Sequence, residues 1–194
     1  MSSAAGPPAD VKIRRVAVIG AGVAGRGFSL ACAAAGFDVV LEDVMPAKLR
    51  RAEAEYADLT LRPGAGQMEL AMTVEDAVRD ADIAVDFVPD ELESKLEIFS
   101  MIDRMAPPKT ILCTPTDVLS ITDLASCVYR PDRCVAIRGA LVCGETVRLV
   151  HPEQAAESVL DGLEEFFRRL GIGAERKVDR VAPMLVKNAG RVGV

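Results

Sequence analysis

The chain has 194 residues, 50% of them hydrophobic and 4% aromatic, enough for one domain with a sizeable core of Ala, Val, Leu and Ile. A net charge of −6 and a pI near 4.9 argue against a polyanion such as nucleic acid as the main partner. Nothing reads as a membrane span, and residues 1–11 read as a polar, flexible lead-in rather than a signal peptide.

Val16–Ile19 is a continuous apolar run, the pattern of a strand buried on both faces. Gly20-Ala21-Gly22-Val23-Ala24-Gly25 follows with G-x-G-x-x-G spacing, and Gly27–Ala35 reads as a small-residue helix closed by Gly36. In such a unit the first glycine makes the tight turn, and the second lets a pyrophosphate approach the backbone. The third lets helix and strand pack closely. The helix N-terminus offers N–H groups and a positive dipole end to the anion. A second apolar run, Phe37–Leu41, ends in Glu42-Asp43, where an acid would hold the adenosine ribose hydroxyls. This points to dinucleotide binding, with a packing-only turn as the alternative. Asp43 would repel a 2′-phosphate, so NAD is expected rather than NADP, and Lys48, Arg50 and Arg51 read as a solvated helix face.

Further along, Ala47–Leu61 is expected to be helical, Arg62–Gln67 a turn and Met68–Met72 a short strand, with a small helix from Thr73. Asp82–Val88 reads as the next strand, closed by Pro89, and a helix runs from Asp90-Glu91 to about Met105. Thr110–Thr114, Cys134–Ile137 and Val147–Val150 read as strands, and Ser120-Ile-Thr-Asp123 as a capping box. Pro152–Leu170 carries the clearest helical periodicity, with Gly171 after it. The alternation predicts a Rossmann-type, doubly wound α/β fold with a largely parallel sheet over residues 12–182, then a short remnant, 183–194. Five scattered cysteines without C-x-x-C spacing suit a reduced, cytoplasmic protein, and no metal site is expected.

The stretch Val16–Phe28, the run Ala81-Asp-Ile-Ala-Val-Asp-Phe-Val-Pro-Asp-Glu-Leu-Glu-Ser-Lys95, Ala106–Leu124 and Arg130-Pro-Asp-Arg133 follow one another in a recognisable order. Together they resemble the NAD-binding domain of the 3-hydroxyacyl-CoA dehydrogenase family. The resemblance covers about Lys12–Asp179 and implies an oxidoreductase fold with NAD as cofactor. It also implies that Val88, Pro89 and Lys95 line the cofactor cleft with Gly20, Gly22, Gly25 and Asp43. Taken alone, Lys95 reads as a solvated helical lysine.

The departures fall at the catalytic positions. The resemblance puts the family's catalytic histidine at Arg138 and its partner glutamate near Arg148. An asparagine becomes Pro115, and a substrate-contacting serine becomes Asp117. Oxidising an alcohol needs a base, and arginine stays protonated at any working pH. The only histidine, His151, reads as a loop or helix-entry residue beside Pro152. The family's helical second domain is also expected to be missing, since little sequence follows Asp179 to form it. Three readings stay open: an NAD-binding dehydrogenase-like protein with altered or absent hydroxyacyl chemistry, a non-catalytic binding or assembly module, and one half of a split dehydrogenase. In the first, Arg138 with Arg148 would hold an acidic or acyl-carrier-linked substrate and Asp117 would be the replacement base. Against that, Asp117 and Arg138 would form a structural salt bridge. A homo-oligomer or a partner chain is expected in place of the missing helices.

Overall fold

A computed structural model describes residues 11–59 and 63–180. The expected lead-in before Val11, the helix end at Leu61, Arg62 of the turn, and everything after Arg180, the remnant included, lie outside the described residues.

The strands are β1 (Arg15–Ile19), β2 (Asp38–Glu42), β3 (Met68–Ala71), β4 (Ile83–Asp86), β5 (Ile111–Pro115), β6 (Cys134–Arg138), β7 (Thr146–His151) and β8 (Gly173–Val178). They form one sheet in the order β3-β2-β1-β4-β5-β6-β7-β8. Neighbours are parallel except β6 and β7, so β7 and β8 run against the other six. The helices are α1 (Val23–Ala34), α2 (Pro46–Leu59), α3 (Val74–Val78), α4 (Leu92–Met105), α5 (Ile121–Ser126) and α6 (Glu157–Arg169). Two apolar layers flank the sheet. One joins α1, α2 and α6 through Phe28, Cys32, Leu49, Phe166 and Phe167. The other joins α3, α4 and α5 through Ala77, Phe99, Ile102 and Leu124. Because β2 lies on one side of β1 and β4 on the other, the strand order reverses there. Open α/β sheets bind ligands in the crevice at such a point, beyond the carboxyl ends of the strands. This is the Rossmann-type α/β architecture that the alternation of elements predicts.

Three elements depart from expectation. Helix α1 begins at Val23 rather than Gly27, because Gly22 is extended and its carbonyl already accepts from the Arg26 N–H. Helix α6 begins at Glu157 rather than Pro152. The Ala155 N–H donates to the Pro152 carbonyl and the Ala156 N–H to Asp132, which ties those residues into a turn. Strand β8 has no signature in the sequence. Its Gly-Ala-Glu-Arg-Lys-Val is mostly exposed and gains strand state from full pairing with β7. Charged side chains on an edge strand also guard it against pairing with other chains.

Candidate functional site

The turn after β1 is built as its glycines require. Gly20 has φ +100°, a conformation that side chains disfavour, and the Phe87 backbone lies against it. A Cβ on Gly25 would sit 1.9 Å from the Gly20 carbonyl oxygen, so only glycine lets α1 pack on the turn. A Cβ on Gly22 would meet nothing within 4 Å; the space above it is open. No side chain caps α1 and its first turn holds no acid, which leaves the first N–H groups facing outward for an anion. Ala21 is buried, while Val23 and Ala24 are exposed at the helix start.

A cleft of about 680 Å³ opens beside this turn, lined by Gly20, Gly22, Asp43, Lys48, Val88 and Pro89 among others. Asp43 stands at its far end, just past β2. One carboxylate oxygen accepts from the Ala21 N–H at 2.9 Å and from the Lys48 ammonium at 3.0 Å, and the other accepts from the Met45 N–H at 2.9 Å. Lys48 is therefore paired into the cleft rather than merely solvated; Arg50 is exposed, and Arg51 pairs with Glu55. Burial would raise the Asp43 carboxyl, but the Met45 N–H, Lys48 and the Ala21 N–H outweigh it and hold it below its ordinary value. A carboxyl depressed by folding contributes stability above its unfolded value, about 3.9, that fades as the pH falls through the folded one. Chemical denaturation from pH 7 down to pH 3 should therefore show Asp43→Asn less stable than wild type at neutral pH. The gap should close in acid; a constant gap would remove Asp43's charge from the account. Glu42 adds a second acid to the cleft wall. Burial first, then the Asp43 charge, push its carboxyl up against the pull of Lys48.

Helix α4 supplies a wall that the sequence reading did not single out: Ser94, Glu97, Ile98 and Met101 face the cleft. Their spacing of three and four was the available signal. Lys95 corrects the reading of a solvated lysine: it is 1% exposed. Its ammonium donates to Asp86 at 2.6 Å and to the Pro115 carbonyl at 3.2 Å, which ties α4 to the ends of β4 and β5. Desolvation raises the Asp86 carboxyl, against the opposing pull of Lys95, the Thr114 hydroxyl and the Val88 N–H. Gly25 acts through packing.

Beyond β5 lie the residues at the altered positions. Arg138 ends β6, and Arg148 stands directly opposite it on β7. The expected Asp117–Arg138 salt bridge does not form. Arg138 is half-buried and donates to the Leu119 carbonyl at 3.0 Å, whereas Asp117 is exposed and its backbone N–H reaches toward Asp90. His151 is the last residue of β7, not a loop residue. It lies three residues beyond Arg148 on the opposite face of the sheet, with Nδ1 3.0 Å from the Pro152 carbonyl. Burial pushes the thiols of Cys32, Cys113 and Cys134 up, so they stay protonated and inert. Among the described residues no cluster of His, Cys, Asp or Glu could hold a metal ion, and no helix is long and apolar enough to cross a membrane.

Residues 15–174 match the family model described as 3-hydroxyacyl-CoA dehydrogenase, NAD binding domain. The chain belongs to this family. A probable 3-hydroxybutyryl-CoA dehydrogenase of Bacillus subtilis is 31% identical over 140 residues, which are 66% of this chain and 48% of that protein. An L-carnitine dehydrogenase of Oceanobacillus iheyensis is 36% identical over 132 residues, covering 63% of this chain and 43% of its own. The crystal structure of a 3-hydroxyacyl-CoA dehydrogenase from Archaeoglobus fulgidus aligns with TM-score 0.73 at 28% identity, over 87% of this chain and 57% of that one. The chain thus spans about half the length of the curated relatives it matches. Both the resemblance and the expectation of NAD agree with this 3-hydroxyacyl-CoA dehydrogenase NAD-binding domain.

Proposed function

We propose that the chain binds NAD in the cleft between the β1 turn and α4 and belongs to an oxidoreductase that does not carry out the ordinary 3-hydroxyacyl reaction. Gly20, Ala21, Gly22, Val23, Ala24 and Gly25 form the pyrophosphate turn, Asp43 marks the adenosine end, and Val88 and Pro89 form the wall. The observation that carries the second half is the Arg138–Arg148 register. The resemblance puts the family's histidine at Arg138 and its glutamate near Arg148, and the register brings these two arginines together. Two guanidiniums standing there can accept no proton. Asp117, just past β5, is exposed and open to serve as a base, with the exposed Asp90 beside its backbone N–H.

The test is NADH formation from 3-hydroxybutyryl-CoA and NAD. It should be absent, or lowered by the roughly 10²–10⁴-fold that a positioned base contributes. Turnover at an ordinary dehydrogenase rate, on the order of 1–10³ s⁻¹, would contradict the reading. A second reading, a non-catalytic assembly module, is favoured by Val118 and Val142. Both are largely exposed in the loops after β5 and β6, at the catalytic edge. Sedimentation showing a strict monomer would argue against it. All five cysteines are free, which fits a cytoplasmic setting.

A further inference from the structure

We infer that Arg138 and Arg148 form a cradle for the free carboxylate of a small acid, so that the substrate is an unesterified carboxylic acid rather than a thioester. This rests on the cofactor reading above. Residues in register on paired strands project from the same face of the sheet, so the two arginines leave β6 and β7 side by side. That face is the one covered by α3, α4 and α5, because Ala136, two residues before Arg138, and Val150, two residues after Arg148, sit in that layer.

Like charges directly opposite one another destabilise a strand pair, and among the described residues neither arginine makes an ion pair. Arg138 gives one N–H to the Leu119 carbonyl, while its Nε is buried with no partner at all. Arg148 is exposed and lies within 4.0 Å of no carboxylate among the described residues. One acid is in register with it, Glu175 on β8, also exposed, and the two make no ion pair. A guanidinium with a buried, unfilled N–H beside a second unpaired guanidinium lacks a planar oxyanion, and a carboxylate supplies two oxygens in the matching geometry. A neutral thioester carbonyl would neutralise neither charge.

The place suits a substrate group. Arg138 ends a strand two removed from β4, whose Phe87–Pro89 continuation lines the cofactor cleft. Two strand spacings are about 10 Å, the reach of a small acid lying across the ends of β4, β5 and β6. Glu175 then acts as a rival for Arg148 and weakens binding of the anion.

The test is calorimetric titration of the full chain with malonate, with and without saturating NADH, at constant ionic strength, and in parallel with inorganic phosphate. The expected result is saturable one-to-one malonate binding. It should weaken at least tenfold in Arg148→Gln and in Arg138→Lys, which keeps the charge but loses the fork, and tighten in Glu175→Gln. NADH affinity should be unchanged in Arg148→Gln. Absence of saturable malonate binding, indifference to Arg148→Gln, or phosphate binding more tightly than malonate would each overturn the inference. If the wild type takes up no NADH, the cofactor reading fails instead, and the titration without NADH still reads the arginine pair.

Discussion

Gly25→Ala is expected to lose both stability and cofactor, whereas Gly22→Ala loses only cofactor. The methyl at Gly25 would stand 1.9 Å from the Gly20 carbonyl oxygen, a backbone atom that can move only if the turn moves. Overpacking of this kind costs about 3 kcal/mol, the upper end of its usual range, which for a domain of this size lowers the melting temperature by roughly 6–12 °C. The displaced turn also carries the N–H groups that would meet the pyrophosphate, so NADH affinity should fall more than tenfold. At Gly22 the methyl enters open space, with nothing of the protein within 4 Å. Stability should then stay within about 0.5 kcal/mol, the ordinary range of substitutions away from packing, while the methyl stands where the cofactor's phosphates approach. Melting curves and NADH titration of the two variants check this. Equal NADH affinity in wild type and Gly22→Ala would show that no phosphate comes near the turn.

Lys95→Met is expected to be the most destabilising single change in the site. It leaves the Asp86 carboxylate, 0% exposed, without the ammonium 2.6 Å away. Breaking a buried ion pair by removing one partner costs about 3–5 kcal/mol, a fall of roughly 6–20 °C in melting temperature. Replacing both partners is different, because no charge is then stranded. Asp86→Leu with Lys95→Met should recover to within about 1 kcal/mol of wild type or better. The double variant also decides what the pair is for. If Lys95 ties α4 to the ends of β4 and β5 and does no more, NADH affinity survives in the double variant. If stability returns and NADH binding does not, the ammonium reaches the cofactor itself.

Legibility in the sequence followed the range of the interactions. The β1 turn was readable because the G-x-G-x-x-G spacing lies within six neighbouring residues, and the tightest steric demand, Gly25 against the Gly20 carbonyl, falls inside it. The alternation of strands and helices was readable because both sheet faces are covered, so the strands are continuous apolar runs. Strand β8 was not readable. Three of its six residues are charged, and its conformation comes from β7 rather than from its own composition. Lys95 was misread for a related reason. Its partner Asp86 lies nine residues earlier, on a different element, and nothing local distinguishes a buried lysine from a solvated one. The Asp117–Arg138 salt bridge failed because Arg138 turns to the Leu119 carbonyl, a backbone group whose place only the fold determines. Glu42 and the α4 face show the converse case, a signal present in the sequence and passed over. The acid next to Asp43, and the spacing of Ser94, Glu97, Ile98 and Met101, were both on view.

The most direct test of the central claim is calorimetric titration of the wild-type chain with NADH and NADPH. The cleft's adenosine end carries Glu42 and Asp43, and its one ammonium, Lys48, is already paired with Asp43. The account predicts one site that takes NADH and discriminates against NADPH by at least tenfold, with the preference reduced in Asp43→Ala. Failure to bind NADH, or equal affinity for the two cofactors, would contradict it.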